Sequence, residues 1–186
     1  MAHRANVRPM VPRISEVRER RHTLSIVFVC GGNTCRSPMA VGLARSLLGS
    51  GVMVDSAGID AAVGAKTAPN AIRVMKEMGI DISAHIPRDV SSLDLSKYEY
   101  VVAMDSAVAS LLEQVGLGEP RSLIVWNIKD PYRGDLDEYR ERANAIKRSL
   151  LSLRKALGLK EAESPDAEDT PRVSGRGRES RAARAD

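Results

Sequence analysis

Short apolar runs alternate along the middle of the chain with stretches whose apolar residues recur every three or four positions. The run 24–29, Leu-Ser-Ile-Val-Phe-Val, is brief and β-branched and reads as a buried strand. Ser37 and Pro38 then open a helix to about Leu48, with serine as the N-cap and proline in the first helical position. Residues 52–54, leading into Ser56-Ala57-Gly58, predict a second strand. A helix opening at Thr67-Ala68-Pro69 closes at Gly79, a usual C-terminal cap. A third strand follows over 100–104, a helix over 106–115, and a fourth strand over 123–126. The last helix, 135–157, places Leu136, Tyr139, Ala143, Ile146, Leu150, Leu153 and Leu157 on one face. Strands alternating with helices predict an α/β fold: a single domain with a four-stranded parallel sheet and helices on both faces. In such sheets ligands bind beyond the carboxyl ends of the strands. The loop between strand 1 and helix 1 falls there.

The apolar pattern stops at both ends, which sets the expected boundaries at a basic N-terminal arm (1–22), a folded domain (23–158) and a disordered C-terminal tail (159–186). The arm carries Arg4, Arg8, Arg13, Arg18, Arg20 and Arg21 against Glu16 and Glu19. No aromatic residues interleave with these charges, so the arm reads as solvated and nucleic acid is set aside as a partner. Residues 161–186 hold only Val173 as a large aliphatic and cannot bury enough apolar surface to offset their ordering entropy. No apolar run approaches the roughly 20 residues a bilayer span needs. Arg4, Arg8 and Arg13 break up any signal core, and Glu16, Glu19 and scarce serine argue against a transit peptide, which leaves the cytoplasm as the expected location. Aromatic residues are only 3% of the chain, so its core must be aliphatic. Two cysteines, Cys30 and Cys35, are too few for a disulfide scaffold, and His3, His22 and His85 lack metal-ligand spacing. Nucleophilic or redox chemistry, with no metal and no cofactor, is the expectation.

The segment that carries chemistry is Val29-Cys30-Gly31-Gly32-Asn33-Thr34-Cys35-Arg36-Ser37-Pro38. Its glycines permit a tight turn whose N–H groups point inward, and such a nest at a helix N-terminus binds an anion. Arg36 adds a planar fork for two phosphate oxygens. Cys30 sits at the mouth of this positive field, which favours the nucleophilic thiolate, and the Ser37 hydroxyl is placed to donate to it. Cysteine six residues before arginine is weak by itself. The strand before, the glycines inside and the Ser-Pro helix start after make it specific.

A thiolate attacking a phosphoryl group needs a proton donor for the leaving group across the pocket. The fourth strand runs into Ile128-Lys129-Asp130-Pro131-Tyr132, which puts Asp130 at the correct sheet edge. Alone it reads as an ordinary Asp-Pro turn; beside the loop it becomes the candidate acid. Asp135 and Asp137 belong to a helix start, where acids complement the dipole.

At these residues the chain resembles the low-molecular-weight protein tyrosine phosphatase family. The run from Val29 to Ala40, Ser56-Ala57-Gly58 and Asp130-Pro131-Tyr132 match in kind, order and separation, over about residues 23–158. The resemblance implies a metal-free, two-step hydrolysis of phosphorylated protein substrates through a phosphocysteine. It implies Cys30 as nucleophile, Arg36 and the backbone of Gly31, Gly32, Asn33, Thr34 and Cys35 as phosphate cradle, and Ser37 as thiolate donor. Asp130 becomes acid and then base, and Tyr132 flanks the substrate. Asn33 holds the loop in its strained shape, supported by Ser56 and His85, and Cys35 can form a reversible protective disulfide with Cys30.

Three positions depart from the family pattern. Gly31 stands where leucine or threonine is frequent, and Arg133 where many tyrosine-specific members have a second aromatic. Thr34 stands where those members usually have isoleucine, and threonine there is characteristic of protein-arginine phosphatases. The expected substrate is therefore phosphoarginine, with a plain tyrosine phosphatase as the alternative. Arsenate reduction normally needs a further cysteine pair, which this chain lacks. A non-catalytic phosphoprotein-binding module would not need Cys30, Arg36 and Asp130 together. A nucleic-acid-binding protein acting through its tails is a further rival.

Overall fold

The first strand, β1 (Leu24–Cys30), alternates between two cores. Ile26, Phe28 and Cys30 face one apolar cluster while Val27 and Val29 face the other, and all five are buried. A strand apolar on both faces belongs in the middle of a covered parallel sheet. The computed structural model, which describes residues 24–115 and 122–160, places it there. Its neighbours are β2 (Val52–Gly58) on one side and β3 (Tyr100–Ala103) on the other, with β4 (Leu123–Val125) beyond β3, all parallel.

The first face is covered by α1 (Arg36–Leu48), α2 (Pro69–Glu77) and α4 (Leu136–Ala156). The expected face of α4 is the one that packs: Tyr139, Ala143, Ile146, Leu150 and Leu153 are buried, with Leu136 and Leu157 partly so. Phe28 reaches from β1 to Trp126, ring centroids 5.4 Å apart. Complete burial of such a ring contributes on the order of 2–3 kcal/mol. The opposite face is covered by α3 (Ser106–Val115), through Val108, Ala109 and Leu112, and by Val90, Leu95 and Tyr98.

Some boundaries differ from expectation for identifiable reasons. β2 extends to Gly58 because it pairs with β1 in unbroken register, from Leu24 opposite Val52 to Cys30 opposite Gly58. β4 ends at Val125, and the chain turns at Asn127, which adopts φ +54°. The N-cap of α1 is Cys35, with no side-chain cap bond, so Ser37 lies inside the helix. Thr67 does not cap α2 either: Ala68 is the N-cap, Pro69 follows, and Thr67 Oγ1 donates to His85 O at 3.3 Å. Leu159, expected in the tail, packs against the core as a partly buried residue. The arm expected at 1–22 and the tail from 161 onward lie outside the described residues.

The strand order has one consequence for function. The chain passes from β1 outward to β2 and then returns to the other side of β1 with β3. The loop after β1 therefore sits at a topological switch point, where crossovers diverge and leave a crevice. The loops after β3 and β4 open onto the same sheet edge.

Candidate active site

β1 delivers Cys30 to this edge, 1% exposed, and residues 31–35 turn the chain into α1. Five carbonyls of the turn are engaged by its surroundings. Cys30 O accepts from Ile59 N at 2.9 Å, Gly31 O from Asp60 N at 3.1 Å and Gly32 O from Ala62 N at 3.2 Å. Thr34 O accepts from Ala68 N at 2.8 Å, and Asn33 O lies 2.9 Å from His85 Nε2. In a trans peptide the following N–H points opposite to the carbonyl. The amides of residues 31–35 are thereby sent to the concave side, the arrangement of an anion-binding nest. Gly58 is required by this packing: a Cβ there would lie 2.5 Å from Gly31 O and 3.0 Å from Asn33 N. A Cβ at Gly31 would meet only Arg36 Nη2, at 4.0 Å, so that glycine supplies room rather than conformation.

Asn33 holds the turn from inside. It is fully buried with φ +55°, a left-handed conformation that asparagine tolerates better than most residues. Its Nδ2 donates to Ser37 Oγ at 2.8 Å and its Oδ1 accepts from Arg88 N at 3.0 Å. Ser37 Oγ lies 3.0 Å from Cys30 Sγ. Of the two roles expected for this hydroxyl, it does not cap the helix; it lies against the thiol and 3.4 Å from Ala57 O. Since Asn33 O can only accept, His85 carries its proton on Nε2. Burial lowers the pKa of His85 from its ordinary 6.5, and the charges of Arg88 and Arg45 act the same way against the bond to Asn33. Ser56 is buried in β2, and the contact it offers is its backbone carbonyl, which accepts from Arg88 Nε at 2.8 Å.

The opposite wall is ionic. Arg36, 2% exposed, donates from Nη1 to Asp105 Oδ2 at 2.5 Å and to Ile128 O at 3.0 Å, and from Nη2 to Asp130 Oδ2 at 2.5 Å. Its Nε–H is buried without a partner. Burial works against the guanidinium charge, but the bond to Asp105 and the charges of Asp130 and Cys30 outweigh it and raise the Arg36 pKa further. Asp105 also accepts from Val108 N at 2.8 Å, at the start of α3. Desolvation pushes its pKa up, yet the bonds from Val108 and Arg36 bring it below its ordinary 3.8.

Asp105 is the functional-site residue that sequence reasoning passed over. A signal was present, since it lies between the third expected strand and the following helix, on the same sheet edge as Asp130, but it was not singled out.

Cys35 sits beside Asp130, its Sγ donating to Oδ1 of that carboxylate at 3.7 Å. Burial, then the charges of Cys30 and Asp130, push the Cys35 thiol up to about 12. It therefore stays protonated at neutral pH. Asp130 Oδ1 also accepts from Tyr132 N at 3.0 Å, which fixes the Asp-Pro-Tyr turn. Tyr132 is 67% exposed, with the Arg133 guanidinium carbon 5.4 Å from its ring centroid. Thr34, Lys66, Pro69, Tyr132, Arg133 and Tyr139 line an adjoining cavity of about 430 Å³. The structure thus gathers Cys30, Gly31, Gly32, Asn33, Thr34, Cys35, Arg36, Ser37, Asp130, Tyr132 and His85 at one sheet edge. No cluster of three or more His, Cys, Asp or Glu able to hold a metal occurs among the described residues.

The family model described as low molecular weight phosphotyrosine protein phosphatase matches residues 25–163. A probable low molecular weight protein-tyrosine-phosphatase, EpsP, of Ralstonia nicotianae is 36% identical over 135 residues, covering 68% of this chain and 90% of that protein. An arsenate reductase of Brevibacillus brevis is 35% identical over 122 residues, covering 66% of this chain and 87% of the relative. Among solved structures, the YwlE arginine phosphatase from Geobacillus stearothermophilus superposes with a TM-score of 0.66 at 30% identity, covering 73% of this chain and 93% of that one.

Proposed function

The chain belongs to the low molecular weight phosphotyrosine protein phosphatase family and is a cysteine-dependent phosphatase, and from that premise we propose that it hydrolyses phosphorylated protein side chains, phosphoarginine ahead of phosphotyrosine, through a phosphocysteine on Cys30. The observation that supports the mechanism is the chain of contacts Asn33 Nδ2 to Ser37 Oγ at 2.8 Å and Ser37 Oγ to Cys30 Sγ at 3.0 Å, in which the hydroxyl, also 3.4 Å from Ala57 O, can turn its proton to a thiolate once one forms. The Cys30 thiolate attacks phosphorus while the amides of residues 31–35 and the Arg36 guanidinium hold the equatorial oxygens. The unpartnered Nε–H of Arg36 is available to one of those oxygens. Asp130 delivers a proton to the departing atom and afterwards takes one from the water that cleaves the S–P bond. To do so it must exchange its bond to Arg36 for one to the leaving group. A dianionic phosphoryl group, competing for the same guanidinium, supplies that exchange. The charge a metal would bring is provided by Arg36 and the loop amides.

Thr34 supports the substrate preference. It lines the cavity beside Tyr132, where a hydroxyl can orient a guanidinium or the attacking water. Arg133, in place of a second aromatic, reduces the apolar grip on a phenyl ring. A P–N bond also breaks readily once protonated and asks less of aromatic binding. Arsenate reduction is disfavoured because Cys30 and Cys35 are the chain's two cysteines, leaving none beyond that pair to resolve a thiol–arsenate adduct. No helix among the described residues is long and apolar enough to cross a membrane. Kinetics on matched phosphoarginine and phosphotyrosine peptides test the proposal. Thr34→Ile should tilt the ratio of the two kcat/KM values toward phosphotyrosine by about tenfold or more, or about 1.4 kcal/mol. A wild type that prefers phosphotyrosine, with a ratio indifferent to Thr34→Ile, returns the reading to a plain tyrosine phosphatase.

A further inference from the structure

A larger cavity lies behind the phosphate loop. It occupies about 730 Å³ between the outer side of α1 and the segment 79–88, at the free edge of β2. That volume is in the range of small-molecule sites, roughly 300–1,000 Å³. Its walls combine apolar side chains, Val41, Ile80 and Ile86 among them, with the cations Arg45 and Arg88 and with His85. Its two carboxylates are already engaged. Asp55 accepts from Arg88 Nη2 at 2.5 Å and from Tyr98 OH at 2.8 Å, and Asp81 accepts from Ser83 N at 2.8 Å. Arg45 has no ion pair or hydrogen bond among the described residues. The cleft therefore carries one uncommitted positive charge, beside a histidine that already feels both arginines.

The inner end of this cleft is the phosphate loop itself. His85 Nε2 donates to Asn33 O, and Arg88 N donates to Asn33 Oδ1. From Asn33 the bonds continue to Ser37 Oγ and on to Cys30 Sγ. We propose that this cleft is a regulatory site for a small amphipathic carboxylate, anchored by Arg45 and Arg88, whose occupancy is transmitted through Asn33 to the nucleophile and lowers turnover. The guanidinium fork matches a carboxylate bidentately, and the apolar wall takes the ligand's body. Arg88 is the element with two arrangements. Its side chain, 39% exposed, holds Asp55 and Ser56 O on the sheet edge, and a carboxylate in the cleft competes for the same fork. Moving the side chain disturbs the N–H that fixes Asn33, whose left-handed backbone depends on such bonds. The transmission to Cys30 rests on the proposed role of that residue, whereas binding in the cleft does not.

Octanoate is a suitable probe: it has a carboxylate and an apolar body, but no ring or tetrahedral head to imitate a phosphorylated side chain. Titrated into the full chain, it should bind saturably, shift the His85 imidazole and Asn33 amide signals, and bind equally well with saturating inorganic phosphate present. Turnover should fall in a way that added substrate does not relieve. Arg45→Ala should weaken octanoate binding by about tenfold or more, the loss of a charge-assisted bond. Basal turnover of that variant should stay within about twofold, as for a surface substitution. Absence of saturable binding, displacement by phosphate, or undiminished binding to Arg45→Ala overturns the proposal. If the protein proves inactive on every phosphorylated peptide while the Arg45-dependent titration holds, the phosphatase mechanism has failed and the cleft stands.

Discussion

The two walls of the phosphate loop are built on different physics. Toward β2, Asn33, Ser37 and His85 meet through short hydrogen bonds between neutral groups, with Asn33 and Ser37 fully buried. Such groups are costly to leave unpaired, so this wall does not trade its bonds for those of a substrate oxygen. Toward β3 and β4, Arg36 is divided between Asp105 and Asp130, whose side chains are 29% and 43% exposed. Ionic partners near solvent exchange readily, because water and substrate oxygens compensate for a lost contact. One wall fixes the sulfur and the other can be rearranged by a dianion. A phosphate-transfer site needs both behaviours, and here they come from opposite sides of β1.

The largest expected effect removes the atom both walls serve. Cys30→Ser should abolish turnover while folding and phosphate binding persist, since a serine alkoxide is far harder to form than a thiolate at neutral pH. Measurable hydrolysis by the pure variant ends the covalent mechanism.

Next comes the exchangeable wall. Asp130→Asn should cost about 10²–10⁴-fold on an ester with a poor leaving group, the usual worth of a general acid, and much less on an activated aryl phosphate. Equal losses on both substrates would remove Asp130 from that role.

Asp105→Asn sharpens the contrast further. Arg36 retains Asp130 and Ile128 O but loses a buried ionic partner, and α3 keeps a polar group at its start. Because Asp105 is partly exposed, the expected destabilisation is about 1–3 kcal/mol, below the cost of breaking a fully buried pair. KM should rise more than kcat falls. A variant with unchanged stability and KM would show that Asp130 alone positions the clamp.

The smallest effect lies in the fixed wall. With its folded-state pKa below 6.5, His85 takes up a proton more readily in the unfolded chain. Its contribution is present above the unfolded value and is lost as pH falls through the window beneath 6.5. Thermal midpoints across that window should drop less steeply for His85→Gln than for the wild type, and parallel profiles would remove His85 from the account.

Much of this was legible in the chain. The double-sided apolar character of 24–29 and the face of α4 announced a covered parallel sheet, because burial leaves a periodic trace in the residues themselves. The Cys-Gly-Gly-Asn-Thr-Cys-Arg-Ser run announced an anion cradle, because a nest and its arginine are local in sequence. Ser37 shows the limit: a serine before a proline is an N-cap by every local rule, yet the cap is Cys35 and Ser37 lies inside α1. Asp105 shows the same limit from the other side. As a residue it starts a helix; it becomes a partner of Arg36 only because β3 pairs with β1.

The sequence alone therefore determined the elements, the layered architecture and the chemistry of the loop, all of which depend on short-range spacing and on which residues avoid water. The tertiary structure alone decided which carboxylates share Arg36, that the Arg88 N–H holds the Asn33 side chain, and that a charged cleft ends against the back of the loop. Those facts depend on strand order, which brings together residues 55 to 94 positions apart, and no local pattern encodes a neighbour at that distance.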